Sequence, residues 1–222
     1  MIPLRDSQPS YSKPVVTLLL IAANVVAFFY ELSLDPYSRN YLISVYGVVP
    51  DRLWLPALFS SMFLHAGWLH ILSNMWFLWI FGDNIEDILG RFKFLALYLG
   101  SGLAAGLTHV LMNADSRIPT IGASGAVAGI MGAYMVKFPR SRILTLVPVF
   151  VFLTTIELPA ALILVYWLVI QFFSGIGSVT HSQFAQGGVA WFAHVGGFLA
   201  GLLLVNLLRP QAPYRHRRDL HW

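Results

Sequence analysis

Long apolar stretches separated by short polar segments dominate this chain. An uncharged stretch of about 18 residues or more is long enough to cross the hydrocarbon core of a bilayer, which is about 30 Å thick. The stretches between the charged residues predict six helices, with boundaries set by the charges and by turn residues. These helices lie at 14–34, 58–82, 92–113, 121–137, 158–175 and 188–208. The pattern therefore predicts an all-α, polytopic membrane protein with six transmembrane helices in one bundle.

The segments that connect these helices differ in length and in residue type. The last two helices share one uncharged stretch, which the turn-forming residues at 174–178 and 181–183 interrupt. Residues 143–156 form a segment too short to span a bilayer comfortably, so we expect it at the membrane interface. Residues 35–57 carry a tryptophan and several tyrosines, which favour a long external loop resting among lipid headgroups.

The distribution of lysine and arginine predicts the orientation. Six spans place both termini on one side, and the side richer in these residues faces the cytoplasm. The terminal side carries Arg5, Lys13, Arg91, Lys93, Lys137, Arg140, Arg142, Arg209, Arg215, Arg217 and Arg218. The other side carries Arg39, Arg52 and Arg117. We therefore expect both termini in the cytoplasm, with a cytoplasmic segment at 1–13, the six-helix domain at 14–208 and a basic tail at 209–222.

Composition narrows the class further. Hydrophobic residues make up 57% of the chain and charged residues 11%, against about 25% charged residues in a soluble domain. The net charge of +4 suits anionic lipid headgroups better than nucleic acid, of which no motif is present. The absence of cysteine excludes disulfides, zinc bound by cysteine and a thiol nucleophile. No signal-peptide or transit-like leader is evident, so we expect a multi-pass protein of a prokaryotic plasma membrane.

The first candidate for chemistry is Ser124, within the sequence GASGA at 122–126. It should lie in the first turn of the fourth helix, where backbone N–H groups lack partners and the helix dipole favours negative charge. Such amides would stabilise an oxyanion beside the serine. The alternative is a helix contact, because Gly125 and Gly129 form a small-residue packing motif of membrane helices.

The second candidate is His194 in the sixth helix. Gly197 and Gly201 follow it at i+3 and i+7, so a neighbouring backbone could approach the imidazole closely. An ionisable side chain inside a membrane helix indicates a functional site, although hydrogen bonding for helix packing is the alternative. A serine and a histidine on two small-faced helices together suggest a nucleophile and its base.

The third candidate is the pair His70 and Asn74, four residues apart on one face of the second helix. Their side-chain donors could converge with the Ser124 amide to hold the oxygen of a tetrahedral intermediate. Together with His65 they could instead bind a metal, but no nearby carboxylate would complete a common site. His65 lies on a different part of the helix, and we expect it to be structural.

No third member of a triad is evident in the sequence. Every acidic residue lies near the end of a predicted span or in a loop, whereas His194 lies within an apolar helix. A Ser124–His194 dyad is therefore the simplest interpretation. Without a carboxylate to stabilise the imidazolium ion, we expect slow turnover.

These residues resemble the rhomboid family of intramembrane serine proteases. The resemblance covers about 14–208 and rests on three motifs in order: G-x-S-G at Gly122, Ser124 and Gly125, H-x3-N at His70 and Asn74, and a histidine followed by glycines at His194, Gly197 and Gly201. It implies a Ser124–His194 dyad, an oxyanion hole of the Ser124 amide, His70 and Asn74, no metal and no cofactor. It also implies a cavity open to the outside and a mobile cap at 176–187.

The sequence departs from the family pattern in three places. Glu86 of an E-x-R pattern is present, but Ile88 replaces the arginine, and Pro56-Ala57 stands where a Trp-Arg pair is common. Because of these two changes, the family pattern does not predict how the loops of this chain are anchored. The third change is Ala128, which replaces an aromatic residue that stacks on the histidine. We expect another aromatic residue, such as Tyr134 or Tyr166, to substitute.

The sequence thus predicts an endopeptidase that cleaves transmembrane segments of membrane proteins near the outer membrane face. Its expected partners are the lipid bilayer and substrates with helix-destabilising residues such as Gly, Ala or Ser. One alternative is a protein of the same fold that binds membrane clients without cleaving them. A proton-coupled transporter is the other, although neither a buried carboxylate nor paired halves support it.

Overall fold

A computed structural model describes residues 2–149, 152–180 and 190–208. The described chain is mostly helical, with a small antiparallel sheet at one end. The helices are α1 (Val15–Ser33), α2 (Pro36–Tyr46), α3 (Ala57–Ser60), α4 (Trp68–Leu89), α5 (Arg91–Met112), α6 (Ser124–Lys137), α7 (Ala160–Thr180) and α8 (Trp191–Leu207). The strands are β1 (Ile2–Asp6), β2 (Arg142–Val149) and β3 (Phe152–Pro159).

The second predicted helix needs the largest correction. Instead of one helix at 58–82, the chain forms α3, a 3-10 turn at Ser61–Phe63, an extended residue at Leu64 and then α4. The helix α4 continues seven residues past the predicted end. We ended the prediction at the charged residues, but Glu86 and Asp87 have backbone partners from the N-terminal segment and therefore remain in the helix.

The predicted interfacial segment at 143–156 lies within a β-hairpin, so the all-α prediction is wrong here. Strands β2 and β3 pair antiparallel from Arg142 opposite Pro159 to Val149 opposite Phe152. Strand β1 pairs with the other edge of β2, and the strand order is β1-β2-β3. The segment is rich in β-branched residues, which favour strands over helices, and the sheet delays the start of the next helix to Ala160.

Within the described ranges, two helices are long and apolar enough to span a membrane by length and composition. They are α1 and α5, whose most apolar 18-residue windows have mean hydropathies of 2.1 and 1.6. The helix α8 and residues 160–176 of α7 are apolar but shorter. The number of spans predicted from the sequence therefore remains a prediction.

The helix α6 lies at the centre of the bundle and packs most closely on α8. Every residue of α6 from Gly125 to Ala133 is buried. A Cβ added to Gly197 would overlap the carbonyl of Gly125, and one added to Gly201 would overlap the carbonyl of Gly129. The two backbones are thus in direct contact, which only glycine permits. This contact fixes the position of α8 along the axis of α6.

The N-terminal segment is held against the end of α4 by carboxylates. The carboxylate of Glu86 accepts hydrogen bonds from the backbone N–H groups of Val16 and Thr17 and from the Thr17 hydroxyl, each at 2.8 Å. Asp87 accepts from the N–H groups of Tyr11 and Ser12. Glu86 therefore has a full set of donors at the start of α1, although Ile88 stands at the position of the family's arginine.

Two of the predicted segments concern residues that the structure describes in part or leaves out. The basic tail at 209–222 lies outside the described residues. Of the expected cap at 176–187, residues 176–180 end α7 and the rest lie outside the described residues. The division at 13/14 and 208/209 remains a prediction.

Candidate active site

The candidate nucleophile is the first residue of α6. The chain enters this helix through Gly122, whose φ of 126° is a left-handed value that favours glycine. A Cβ at Gly122 would lie 2.6 Å from two ring atoms of His70, so the position also requires a residue without a side chain. The Gly122 N–H donates to the Ser61 carbonyl at 2.8 Å, which fixes the turn. Ser124 is partly exposed and sits beside the unpaired N–H groups of the first helical turn.

The candidate base meets this serine across the contact between α6 and α8. The His194 Nε2 atom lies 2.7 Å from the Ser124 Oγ atom, which is a hydrogen-bond distance. His194 is buried. The structure thus brings the two residues of the predicted dyad together, and the glycine contacts described above set their spacing.

A third side chain, Gln171 of α7, completes the hydrogen bonding of the imidazole. Its Oε1 atom lies 2.6 Å from the His194 Nδ1 atom, and the side chain is buried. The sequence predicted no partner for this nitrogen, because the expected partner was a carboxylate. The signal was present, since Gln171 is a lone amide side chain within the apolar part of the stretch from 158 to 173.

The aromatic neighbours of His194 differ from those we predicted. The Trp167 ring centroid lies 5.8 Å from that of His194 with the planes tilted by 35°, and Trp191 approaches edge-on at 6.4 Å. The Tyr134 hydroxyl instead donates to Asp6 and forms a second hydrogen bond with the Ser141 hydroxyl at the sheet end. Tyr166 is half exposed. Tryptophans of α7 and α8, and neither tyrosine, therefore occupy the place left by Ala128.

His70 and Asn74 line the same cavity as Ser124 and His194. The His70 Nδ1 atom accepts a hydrogen bond of 3.4 Å from the Ala66 N–H, which leaves the Nε2 proton as a donor. The Asn74 amide nitrogen lies 3.1 Å from the His65 Nε2 atom and carries a second N–H group. The structure therefore brings both predicted donors to the serine's cavity.

His65 and its neighbours anchor the segment that leads into α4. His65 is fully buried, and its N–H donates to the Glu31 carboxylate at 2.9 Å. Arg39 donates to the carbonyls of His65 and Ala66 at 3.1 Å each and lies 3.8 Å from Glu31. These contacts agree with the structural role expected for His65. They also answer the question raised by Pro56-Ala57, because Arg39 anchors this segment from α2.

His109 of α5 is a further buried histidine that the sequence analysis did not consider. Its Nε2 atom lies 2.7 Å from the Thr120 Oγ1 atom. Thr120 in turn exchanges two backbone hydrogen bonds with Val48. His109 thus holds the segment before Ser124 against α5.

The cavity in front of Ser124 has a volume of about 660 Å³. Its described lining is largely apolar, with Trp167, Trp191 and Met131 among the larger side chains, and contains no charged residue. No three His, Cys, Asp or Glu side chains of the described ranges come together to hold a metal ion. The polar groups that face the cavity are therefore neutral serine, histidine and amide side chains.

This arrangement can support nucleophilic chemistry. An imidazole that accepts a hydrogen bond from a serine hydroxyl can take up its proton when the oxygen attacks a carbonyl carbon. The Ser124 amide, the His70 ring and the Asn74 amide surround the space in which a negative oxygen would form.

Comparison with known proteins gives consistent matches. The sequence model of the Rhomboid domain matches residues 51–211, which is more than half of the chain. RHOMBOID-like protein 5 of Arabidopsis thaliana is 33% identical over 199 residues, covering 83% of this chain and 58% of the relative. The mitochondrial presenilin-associated rhomboid-like protein A of Danio rerio is 36% identical over 122 residues, covering 53% of this chain and 32% of the relative. The human presenilin-associated rhomboid-like protein, also mitochondrial, is 32% identical over 137 residues, covering 60% and 36%. The chain thus spans between about a third and three fifths of the length of these relatives.

Proposed function

The chain belongs to the rhomboid family of membrane proteins, and from this premise we propose that it is an intramembrane serine endopeptidase with Ser124 as nucleophile and His194 as base. The observation that carries the proposal is the 2.7 Å contact between Ser124 Oγ and His194 Nε2 beside a cavity whose described lining residues carry no charge. Such a pair has no structural need for a cavity beside it, whereas a nucleophile needs room for its substrate.

The proposed reaction proceeds through an acyl-enzyme. The Ser124 oxygen attacks the scissile carbonyl, and His194 takes the hydroxyl proton and passes it to the leaving amine. The carbonyl oxygen becomes negative in the tetrahedral intermediate and accepts hydrogen bonds from the Ser124 amide, His70 and Asn74. Water then cleaves the ester by the reverse sequence of proton transfers.

The proposed substrates are transmembrane segments that unwind readily. A helical segment hides its scissile carbonyl in a backbone hydrogen bond, and glycine or other weak helix formers lower the cost of exposing it. The apolar lining of the cavity supports a substrate of this kind, since it would receive an extended apolar peptide. Cofactors play no part in this proposal.

Cleavage by the purified protein in liposomes tests the proposal. We expect the wild type to cleave a model single-span substrate that carries glycine or alanine near one end of the span. Ser124→Ala and His194→Ala should each lower the rate by at least about 1,000-fold, as loss of either member of such a pair does in serine proteases. Cleavage that persists in Ser124→Ala would contradict the proposal.

A rhomboid-like protein that binds membrane clients without cleaving them is the second candidate. The chain retains both reacting side chains at hydrogen-bond distance, which favours a protease over this client-binding function. Glu31 and Glu86 are buried carboxylates, although the sequence predicted none, but both accept hydrogen bonds from backbone N–H groups and neither is among the described residues that line the cavity. They therefore give no support to a transporter. Binding of a transmembrane client with equal affinity by wild type and Ser124→Ala, without cleavage by either, would favour the client-binding function.

We further propose a plasma-membrane location with both termini in the cytoplasm and the cut near the outer face. The excess of basic residues on the terminal side supports this orientation. The chain has no cysteine, so single cysteines report orientation cleanly. An impermeant maleimide should label Asp115→Cys in intact cells and Lys13→Cys only after permeabilisation. The opposite pattern would reverse the proposed orientation.

A further inference from the structure

The hydrogen bond between His194 and Gln171 is a feature of the site that the Ser124–His194 dyad does not explain. Gln171 comes from α7, whereas the serine and histidine come from α6 and α8. Its Oε1 atom lies 2.6 Å from His194 Nδ1, on the opposite side of the ring from Ser124. The imidazole is therefore held between a hydroxyl and an amide.

The contact determines which nitrogen carries the proton. An amide oxygen can only accept, so the Nδ1 atom must be the N–H group of the neutral ring. The Nε2 atom is then unprotonated and can accept the hydrogen bond from the Ser124 hydroxyl. The opposite tautomer would place a proton between Nε2 and Ser124, and the ring could not act as a base.

We infer that Gln171 is a positioning residue for the proposed proteolysis and takes the place that a carboxylate holds in a serine protease triad. This inference rests on the proposed function and extends it. The proton of Ser124 moves to Nε2 as its oxygen attacks, and from Nε2 to the leaving amine. The Nδ1 proton stays on the ring throughout, donated to Gln171 Oε1, so no proton reaches the amide.

There is a physical reason for a neutral hydrogen-bond acceptor at position 171. Gln171 and His194 are both buried, and none of the described residues that line the cavity beside them is charged. A carboxylate there would lie in an apolar region without a permanent cation, which is costly to form. The amide dipole orients the ring and stabilises the imidazolium ion when it forms, without a charge in the resting state.

No other described group around the ring can replace this contact. The titratable groups that face His194 are His70 on α4 and His109 on α5, and the acceptor nitrogen of each has another partner. Trp167 and Trp191 contact the ring through their faces and edges. Gln171 is thus the group that bonds Nδ1.

Two substitutions at this position separate positioning from mere packing. Gln171→Met keeps the length and shape of the side chain but removes the acceptor. We expect kcat to fall by about 10- to 100-fold, less than the ~10,000-fold loss seen when a triad carboxylate is replaced, with KM changed by less than about twofold. Gln171→Glu keeps an acceptor and adds a charge. It should retain more activity than Gln171→Met, with the acid limb of the pH–rate profile moved up by about one pH unit, because a carboxylate favours the imidazolium ion.

Asn24→Leu is the matched control. Asn24 is a fully buried amide in α1, away from the cavity, and donates to the Leu20 carbonyl. We expect this variant to keep the wild-type kcat and pH profile, whatever its stability. All variants are compared as full chains in liposomes with the same single-span substrate.

The outcomes distinguish the inference from the proposed function. Failure of the wild type to cleave, together with no labelling of Ser124 by a fluorophosphonate, would overturn both. A wild type that cleaves while Gln171→Met keeps its kcat within about twofold would overturn the inference alone. Were Gln171→Met too unstable to assay, an unchanged pH–rate profile in Gln171→Glu would overturn it instead.

Discussion

Two buried hydrogen-bond networks in this protein differ in charge. The network around Glu86 uses a carboxylate to hold backbone N–H groups at the start of α1. The network around His194 uses a hydroxyl and an amide, and the adjacent cavity is lined by uncharged side chains throughout the part of the chain that the structure describes. A charged acceptor suits the Glu86 network because the carboxylate always accepts from the same three donors. A ring that must gain and lose a proton is better served by neutral partners.

We expect the largest loss of stability from the removal of the Glu86 carboxylate. Glu86→Ala leaves three donors without an acceptor at a site where only 2% of the side chain is exposed. We expect the free energy of unfolding to fall by about 3 kcal/mol, the usual cost of removing a buried charged partner. Thermal unfolding in detergent micelles measures this change.

Asp87→Ala is the matched control for Glu86→Ala. Asp87 accepts from two backbone N–H groups at a partly exposed site, so its loss should cost less than about 1 kcal/mol. Folded Glu86→Ala protein should still react with a fluorophosphonate at Ser124. An equal effect of both variants on stability would remove the distinction between the two acceptors.

Asp6 offers a smaller effect that depends on pH. Burial raises the pKa of Asp6 to about 7, with a further contribution from the nearby charge of Asp83, while the hydrogen bond from Tyr134 opposes the change. The folded state therefore holds this proton more tightly than the unfolded state, whose aspartate titrates near 4. The contribution of Asp6 to stability is therefore full below about pH 4 and is lost as the pH rises through 7.

Asp6→Asn should remove this dependence. Wild-type thermal stability is expected to decline between pH 5 and pH 8, and the variant should show a flatter profile because an amide does not titrate. The Asn side chain can still accept from the Tyr134 hydroxyl, so the strand contact is retained. Identical pH profiles for the two proteins would show that Asp6 does not titrate in this range.

The sequence predicted the parts of the site that depend on local pattern. Ser124 at a helix start and His194 above two glycines follow from spacing along one helix, and the structure places them together. Gln171 was missed because its role depends on how α7 packs against α8, which no local spacing reveals. Trp167 was missed for the same reason, since it replaces Ala128 from a different helix.

The sequence predicted well the helices whose bounds follow from the length of an apolar stretch. It predicted poorly the elements whose bounds depend on partners elsewhere in the chain. The helices α1 and α5 follow their apolar stretches within one or two residues. The helix α4 passed its predicted end because Glu86 finds donors 69 and 70 residues away in sequence. Strand β1 was missed because its partner β2 lies far away in the chain, and their pairing is not visible in either segment alone. The hairpin of β2 and β3 was missed because the prediction used only the length of this apolar segment and the charges beside it, although its β-branched residues favour strands.

The most direct test of the central claim is active-site labelling of the full chain in liposomes with a fluorophosphonate, followed by peptide mapping. The account predicts one modified serine, Ser124, with labelling abolished in His194→Ala and slowed in Gln171→Met. Labelling of Ser124 that does not depend on His194, or no labelling at all, would contradict the claim that these residues form a nucleophile and its base.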